Sequence, residues 1–386
     1  MTRFEFIVEL LYTNYDKWYQ LLRSIDYVPQ TTTPTDSNAT SLVGIVIAVQ
    51  ANFCQVQIDP DTPTVGGKLI LCTRRARLQK IGISAIVGDR VTIDEIDWQG
   101  LKGVVVDVFQ RHSLLDRPPV ANADRILLVF ALAEPALDPF LMSKFLVKAE
   151  STGLQVSLCL NKSDLVTSIQ RQEWCDRLGD WGYQPIVISV ENGMGVKELQ
   201  LELDRQITIF AGHSGVGKSS LTNALIPDSN IRVATVSGKL SRGRHTTRHV
   251  QLFTMPTGGL IADTPGFNQP DLTCTPTELP GYFPEIRQRL ATGNCQFSDC
   301  THRDEPNCVV RGEWERYPHY LDFLADSIAW EQQLQSQPKL ENSLKQKSGT
   351  GKKQFEPKLD SKYRQISRHT ILQSLAELSD EFDDED

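Results

Sequence analysis

The spacing of apolar residues changes character twice along the chain. Between Ser41 and Arg111 they fall in short β-branched runs with turn residues between them: "LVGIVIAVQ", "FCQVQI", "GGKLILCTRR", "VGDRVTIDEI" and "KGVVVDVF". Five such runs with no helical period between them predict a small closed barrel. Beyond Arg117, strands alternate with amphipathic stretches. "ADRILLVFAL", "LQVSLCLNKSD", "YQPIVISV", "RQITIFAGHSG", "HVQLFTM" and "GGLIADTPG" supply six strands, and "PFLMSKFLVKAES" and "KSSLTNALI" have helical spacing. That alternation predicts an α/β unit with a doubly wound, mostly parallel sheet, which binds ligands at the carboxyl ends of its strands. Further on, "GYFPEIRQRL" and "EWERYPHYLDFLADSIAWEQQL" read as helices. At the start, Phe6, Leu10, Leu11, Trp18, Leu21 and Leu22 also have helix-like spacing, followed by the linker composition "PQTTTPTDSNAT".

These shifts divide the chain into an N-terminal extension and linker (1–40), a barrel (41–115), an α/β domain (116–275), a helical module (276–335) and a tail (336–386). The barrel is of the oligonucleotide-binding (OB) type by strand count and length. Arg74, Arg75, Arg77 and Lys80 are candidates for RNA contact on its rim, or for the charged edge that keeps a barrel strand soluble.

At 386 residues and 40% hydrophobic, the chain can bury several cores, and its net charge of −8 excludes a uniformly basic nucleic-acid binder. The average hides a split. From Lys339 to Arg368 nine Lys or Arg face three Asp or Glu, whereas the last eleven residues, "AELSDEFDDED", carry seven carboxylates and no base. Such segregated charge with few aromatics predicts a mostly disordered tail, either solvated throughout or with a basic arm that touches nucleic acid. No window reaches the roughly 18–20 apolar residues of a membrane span, and Glu5, Glu9 and Asp16 fall where a signal peptide would be apolar. A cytoplasmic protein without membrane contact is expected. Of eight cysteines, Cys54, Cys72, Cys159, Cys175 and Cys274 show no ligand spacing and read as ordinary core or surface residues.

The densest chemistry lies at strand ends. "GHSGVGKS" matches the phosphate-loop pattern, with a strand before it and a helix after. Gly212, His213, Ser214, Gly215, Val216 and Gly217 would wrap backbone N–H groups around phosphates at a helix N-terminus. Lys218 would reach the β and γ phosphates, Ser219 would ligate Mg²⁺, and Ser220 follows in the helix. His213 occupies a variable position and receives no catalytic role. In "LIADTPG", Asp263 is the metal-organising carboxylate and the Gly266 amide can contact the γ phosphate. In "GRHTTRH", Thr246 or Thr247 can supply the second hydroxyl to Mg²⁺, Thr247 being favoured. "NKSD" reads a guanine: Asp164 accepts from its N1 and 2-amino groups, Asn161 addresses the other purine edge, Lys162 packs along the ring and Ser163 completes the turn. "VISVENG" is a weaker match to the loop that completes guanine recognition, through Ser189 and the backbone N–H of Val190.

The base-reading quartet therefore precedes the phosphate loop, the reverse of the ordinary order. The same sheet forms if the termini are joined and the chain reopened elsewhere, so a circularly permuted P-loop GTPase domain is expected. The loop that senses the γ phosphate then leads almost directly into the C-terminal module. There Cys295, Cys300, His302 and Cys308 form C-x4-C-x-H-x5-C, a closed set of three thiolates and an imidazole that predicts one structural Zn²⁺.

Barrel, permuted GTPase and C-C-H-C module in this order resemble the circularly permuted ribosome-small-subunit-dependent GTPase A family. The resemblance runs from about Ser41 to Trp330 through "CTRR", "VGDRV", "LLDRPPVANADRILLVFA", "LNKSDL", "GHSGVGKSSLTNAL", "GRHTTRH", "DTPGF", "YFPEI" and "CTHRDEPNC". It implies GTP and GDP as ligands, binding to the small ribosomal subunit and its 16S rRNA late in assembly, hydrolysis that is faster on the subunit, and departure once the subunit is mature. The extension and tail lie outside the common core, and Val190 replaces the usual alanine. A monomer is expected. The residue after "DTPG" is Phe267, which cannot orient water, so intrinsic hydrolysis should be slow. His245 is a candidate for the missing group in cis; otherwise it is a switch residue that contacts RNA or phosphate. The alternative to a GTPase is a nucleotide-gated RNA-binding scaffold with incidental turnover.

Overall fold

The computed structural model describes residues 41–50, 53–75, 78, 84–116, 119–227, 250–263, 270–336, 344–346 and 355–357. The chain divides into two units, 1–42 and 43–386. The described residues belong almost wholly to the second. The helix-like spacing and linker of the extension, the rim residues Arg77 and Lys80, and nearly all of the tail lie outside the described residues. Within the tail, Leu344–Gln346 pairs antiparallel with Phe355–Pro357.

β1 (Leu42–Gln50), β2 (Phe53–Ile58), β3 (Leu69–Arg74), β4 (Arg90–Asp97) and β5 (Lys102–Val108) close a barrel in the order β1-β2-β3-β5-β4. Alternation is the cause: in β2 the residues Cys54, Val56 and Ile58 face the core while Phe53, Gln55 and Gln57 do not. β3 and β5 run parallel, and the β1–β2, β2–β3 and β4–β5 pairs are antiparallel, the connectivity of an OB barrel. A short hairpin of β6 (Leu114–Asp116) and β7 (Pro119–Ala121) follows. It ties barrel to sheet: Ala121 N–H donates to Val87 O at 2.8 Å and Asn122 Nδ2 to Gly88 O at 3.0 Å.

The α/β unit begins with β8 (Arg125–Ala131), α1 (Pro139–Glu150), β9 (Gln155–Asn161), a 3-10 turn (Ser163–Leu165) and α2 (Ser168–Asp180). β10 (Pro185–Val187), α3 (Val196–Glu202), β11 (Ile207–Ala211), α4 (Lys218–Leu225), β12 (Leu252–Thr254) and β13 (Leu260–Asp263) complete it. The sheet order is β10-β9-β8-β11-β13-β12, parallel except for the edge strand β12. Central strands covered on both faces read as unbroken apolar runs, and every residue of β8 and β11 is buried. Reopening the chain before β11 and joining β13 to β8 across that central strand would change the connectivity but not the spatial order of the strands, so the permutation leaves the architecture untouched. Side-chain signals start the helices. Asp138 accepts from the Phe140 and Leu141 N–H groups with Pro139 in the first turn of α1, and Thr167 and Gln170 form a reciprocal capping box on α2.

The C-terminal module comprises a 3-10 turn (Leu279–Tyr282), α5 (Pro284–Thr292), an irregular segment and α6 (Tyr317–Ser336). Its core is built around Phe283, Tyr320 and Phe323, all fully buried, and includes Val147 from α1. One face of α1 thus covers the sheet while the other forms a wall of the module.

Candidate nucleotide site and metal centre

The loop after β11 has the conformation that phosphate binding needs. Gly212, Gly215 and Gly217 have φ of 140°, 86° and 95°, values that side chains with a Cβ rarely adopt. Space is equally restrictive: a Cβ on Gly212 would lie 2.2 Å from Val129 O, and one on Gly217 would lie 2.4 Å from Asn161 Nδ2. α4 starts at Gly217 with no side chain capping it, so its first amides remain available to an anion. Lys218 Nζ donates to Gly212 O at 2.7 Å and His213 O at 2.8 Å, which folds the ammonium over the loop. His213, Ser214 and Gly215 are exposed, Val216 is buried, and Ser219 and Ser220 lie half-buried on the first turn of α4.

The base-reading turn follows β9, two strands from β11. Lys162 takes a left-handed conformation, φ 59°, which reverses the chain at the strand end. Asn161 is buried and joins three segments: its Nδ2 donates to Val216 O at 2.9 Å, and its Oδ1 accepts from the Val190 N–H at 3.3 Å. Ser163 is fully buried with its N–H on Ile188 O. Asp164 is exposed, and one carboxylate oxygen accepts from Ser189 Oγ at 2.5 Å. That bond fixes the carboxylate orientation and leaves the other oxygen for a ligand. Val190, in place of alanine, retains the backbone donor that the loop requires.

One participant had no sequence signal. The loop between β8 and α1 supplies Glu134 O, which accepts from Lys162 Nζ, and Pro135, whose Cδ would lie 3.7 Å from a Cβ on Gly215. A backbone carbonyl leaves no residue-type signature. On the phosphate side, Asp263 ends β13, where its backbone pairs with Phe210 of β11 at the entrance to the phosphate loop. His245, Thr246, Thr247, Gly266 and Phe267 lie outside the described residues.

In the module, Cys295, Cys300, His302 and Cys308 present four ligand atoms within 4.8 Å of one another. Cys295 Sγ is 3.9 Å from Cys308 Sγ, and His302 Nδ1 is 3.6 Å and 3.4 Å from those two sulfurs. A tetrahedral zinc with Zn–S of about 2.3 Å and Zn–N of about 2.0–2.1 Å requires roughly 3.8 Å between sulfurs and 3.5 Å from sulfur to nitrogen. The donor set and its spacing therefore fit zinc, with Nδ1 as the ligating nitrogen. Outside the ligands, partial desolvation raises the Glu305 carboxyl, but hydrogen bonds from the Thr301 hydroxyl and N–H and from the Arg303 N–H bring it down to about 2. Tyr317 and Tyr320 hydroxyls donate to the carbonyls of His302 and Thr301 and brace the same turn.

On the barrel, Arg74 Nη1 donates to Ser84 Oγ at 3.2 Å, and Arg75 pairs with Glu95 at 3.5 Å with both side chains exposed. Beside them lies a groove of about 350 Å³ between Phe53, Leu71, Thr73, Lys102 and Val104. Among the described residues no helix is long and apolar enough to cross a membrane.

The "Small ribosomal subunit biogenesis GTPase RsgA 1" of Nostoc sp. is 57% identical over 360 residues, covering 88% of this chain and 97% of that protein. The chain belongs to the RsgA GTPase family. The family model, described as RsgA GTPase, matches residues 108–273, which span both halves of the nucleotide site. A Synechocystis sp. relative named small ribosomal subunit biogenesis GTPase RsgA is 48% identical over 87% of this chain and 96% of its own length. Among solved structures, YjeQ from Thermotoga maritima aligns with a TM-score of 0.63 at 32% identity, covering 75% of this chain and 99% of its own. YloQ, described as a circularly permuted GTPase, gives 0.63 at 29% identity and covers 77% and 98%. As a member of this family the chain uses GTP and GDP with Mg²⁺.

Proposed function

We propose that this chain hydrolyses GTP to GDP and phosphate and couples that step to late maturation of the small (30S) ribosomal subunit in the cytoplasm. One observation carries the reading: the Asn161 amide, beside Asp164, is hydrogen-bonded at 2.9 Å to the phosphate loop, so the two motifs form one site despite their reversed order. The names of the family's relatives supply the ribosomal context.

In the proposed site, Asp164 accepts from guanine N1–H and the 2-amino group, Ser189 holds that carboxylate, and Asn161, Lys162 and the Val190 N–H complete the base pocket. Residues Gly212 to Ser220 enclose the phosphates, with Lys218 leaving its loop carbonyls for the β and γ oxygens. Ser219 and Thr247 would hold magnesium, with Asp263 organising its shell and the Gly266 amide on the γ phosphate, and the ion would supply positive charge against that developing on the phosphates. With Phe267 after the Asp-x-x-Gly sequence, the chain alone turns over slowly, and His245 or the ribosome supplies the group that positions water. Cys295, Cys300, His302 and Cys308 hold one structural zinc. The chain acts as a monomer, and the barrel contacts 16S rRNA with Arg74 and Arg75 on its rim. The segment boundaries at 40, 115, 275 and 335 mark these roles.

Phosphate release with and without purified 30S subunits tests the reading. Stimulation of at least tenfold is expected. Equal rates would overturn the coupling and favour a nucleotide-gated scaffold.

A further inference from the structure

The module is seated on α1 by a buried charged cluster that the nucleotide chemistry does not use. Arg316 is fully buried. Its Nη1 donates to both oxygens of Glu285 at 3.2 and 3.1 Å, and its Nε donates to Ser143 Oγ of α1 at 3.0 Å. The guanidinium lies over Phe283 at 4.5 Å and over Trp181, at the end of α2, at 5.0 Å. Ser143 Oγ also meets His319 Nδ1 at 2.9 Å. Around this hub, Phe140 of α1 packs edge-on to the His319 ring and against Phe323, Glu150 accepts from Arg287 at 2.9 Å, and Glu315 binds Arg177 and the Trp181 indole N–H.

Two features make this contact responsive rather than simply adhesive. First, it is close to balance. Arg316 Nη2 is buried without a partner, and burial raises the Glu285 carboxyl against the lowering pull of Arg316. A buried ion pair with incomplete hydrogen bonding has little net stability, since desolvation offsets most of the attraction. Second, α1 begins at the nucleotide site. The loop that leads into it carries Glu134 O on Lys162 Nζ and Pro135 against Gly215, and Asp138 then caps the helix. A ligand that draws Lys162 onto a purine ring and closes Gly215 onto a β phosphate must act on this loop.

We propose that α1 and the Arg316 hub report occupancy of the guanine site to the zinc module, and that GDP and GTP act alike through this route. The inference rests on the nucleotide-site reading above, and differs from transmission by the γ-phosphate loop, which would distinguish the two nucleotides. Linkage makes the coupling reciprocal: whatever loosens the hub changes nucleotide affinity by the same factor that nucleotide changes the seating of the module.

Hydrogen exchange on the full chain with Mg²⁺ tests this, without nucleotide, with GDP, and with a non-hydrolysable GTP analogue. Both nucleotides are expected to slow exchange in α1 and in the first two turns of α6 by roughly five- to tenfold, the lower end of the usual range of coupling factors. In Ser143→Ala and Arg316→Met the phosphate loop should still gain protection while the α6 response falls several-fold. Ser143→Ala keeps the charged pair, so it serves alone if Arg316→Met does not fold. An α6 response to the analogue only, no α6 response while the phosphate loop is protected, or an undiminished response in the variants would overturn the proposal. Absence of protection at the phosphate loop in the wild type would instead overturn the nucleotide site itself.

Discussion

The nucleotide site and the metal centre solve the same problem, holding reactive groups in fixed geometry, by opposite means. At the nucleotide site the work is done before any ligand arrives. Strands β8 and β11 are buried throughout and β9 over its last four residues, and the functional groups hydrogen-bond to one another: Asp164 to Ser189, Asn161 to Val216 and Val190, Lys218 to its own loop. In the module, the segment between α5 and α6 has no sheet beneath it. Three thiols and an imidazole are gathered there within 4.8 Å, the donor set of the proposed zinc. The difference predicts that removing nucleotide leaves the fold intact, whereas removing zinc does not.

The largest effect should follow from attacking the metal centre. Chelation, or Cys308→Ser, is expected to release the segment around residues 293–316, because structural zinc contributes about 10–16 kcal/mol in small modules. Circular dichroism and proteolysis should show loss of α5 and the start of α6 with the sheet retained; an unchanged digestion pattern would remove zinc from the account. Next in size, Lys218→Ala should lower phosphate release by about 10²–10³-fold, the scale of losing one preorganised charge at a transition state, without altering the melting temperature. Smaller again, Gly217→Ala sets a Cβ 2.4 Å from Asn161 Nδ2 at a φ of 95°. It should weaken nucleotide binding about tenfold, since a strained residue of this kind stores roughly 1–3 kcal/mol, and calorimetry would read it.

The smallest effect concerns acid. Partial burial raises the Glu315 carboxyl, but hydrogen bonds from Arg177 and the Trp181 indole, with the Arg177 charge, outweigh it and hold the group below its ordinary range. A depressed folded value means a contribution present above the unfolded value of about 4.3 and lost as pH falls through the lower folded one. Melting temperatures of Glu315→Gln and the wild type should therefore differ at pH 7 and converge toward pH 3. A constant difference would show that the charge is immaterial.

Legibility in the sequence followed locality. The phosphate loop, the Asn-Lys-Ser-Asp quartet and the cysteine spacing each occupy fewer than about fifteen residues, so a chemistry could be proposed for each from residue types alone. Strand alternation and the unbroken apolar runs of β8 and β11 placed the barrel and the parallel sheet. What escaped is nonlocal or backbone-borne. Ser143 and Arg316 are 173 positions apart, and each looks like an ordinary polar residue on an amphipathic helix or at its edge. Glu285, whose residue type gives no signal of burial, is buried against Arg316. The hold of Glu134 on Lys162 runs through a carbonyl that any residue possesses.

The central claim is that Asp164 and the phosphate loop enclose one guanine nucleotide, and exchanging the hydrogen-bond polarity of that residue tests it most directly. The side-chain amide introduced by Asp164→Asn would accept from N1–H but donate to position 2, which suits the 2-oxo group of xanthine. Titration of both proteins with GDP, ADP and XDP should show the wild type preferring GDP over both others and the variant preferring XDP, each by at least about a hundredfold. Equal affinity of the wild type for GDP and ADP, or an unchanged preference in the variant, would contradict the account.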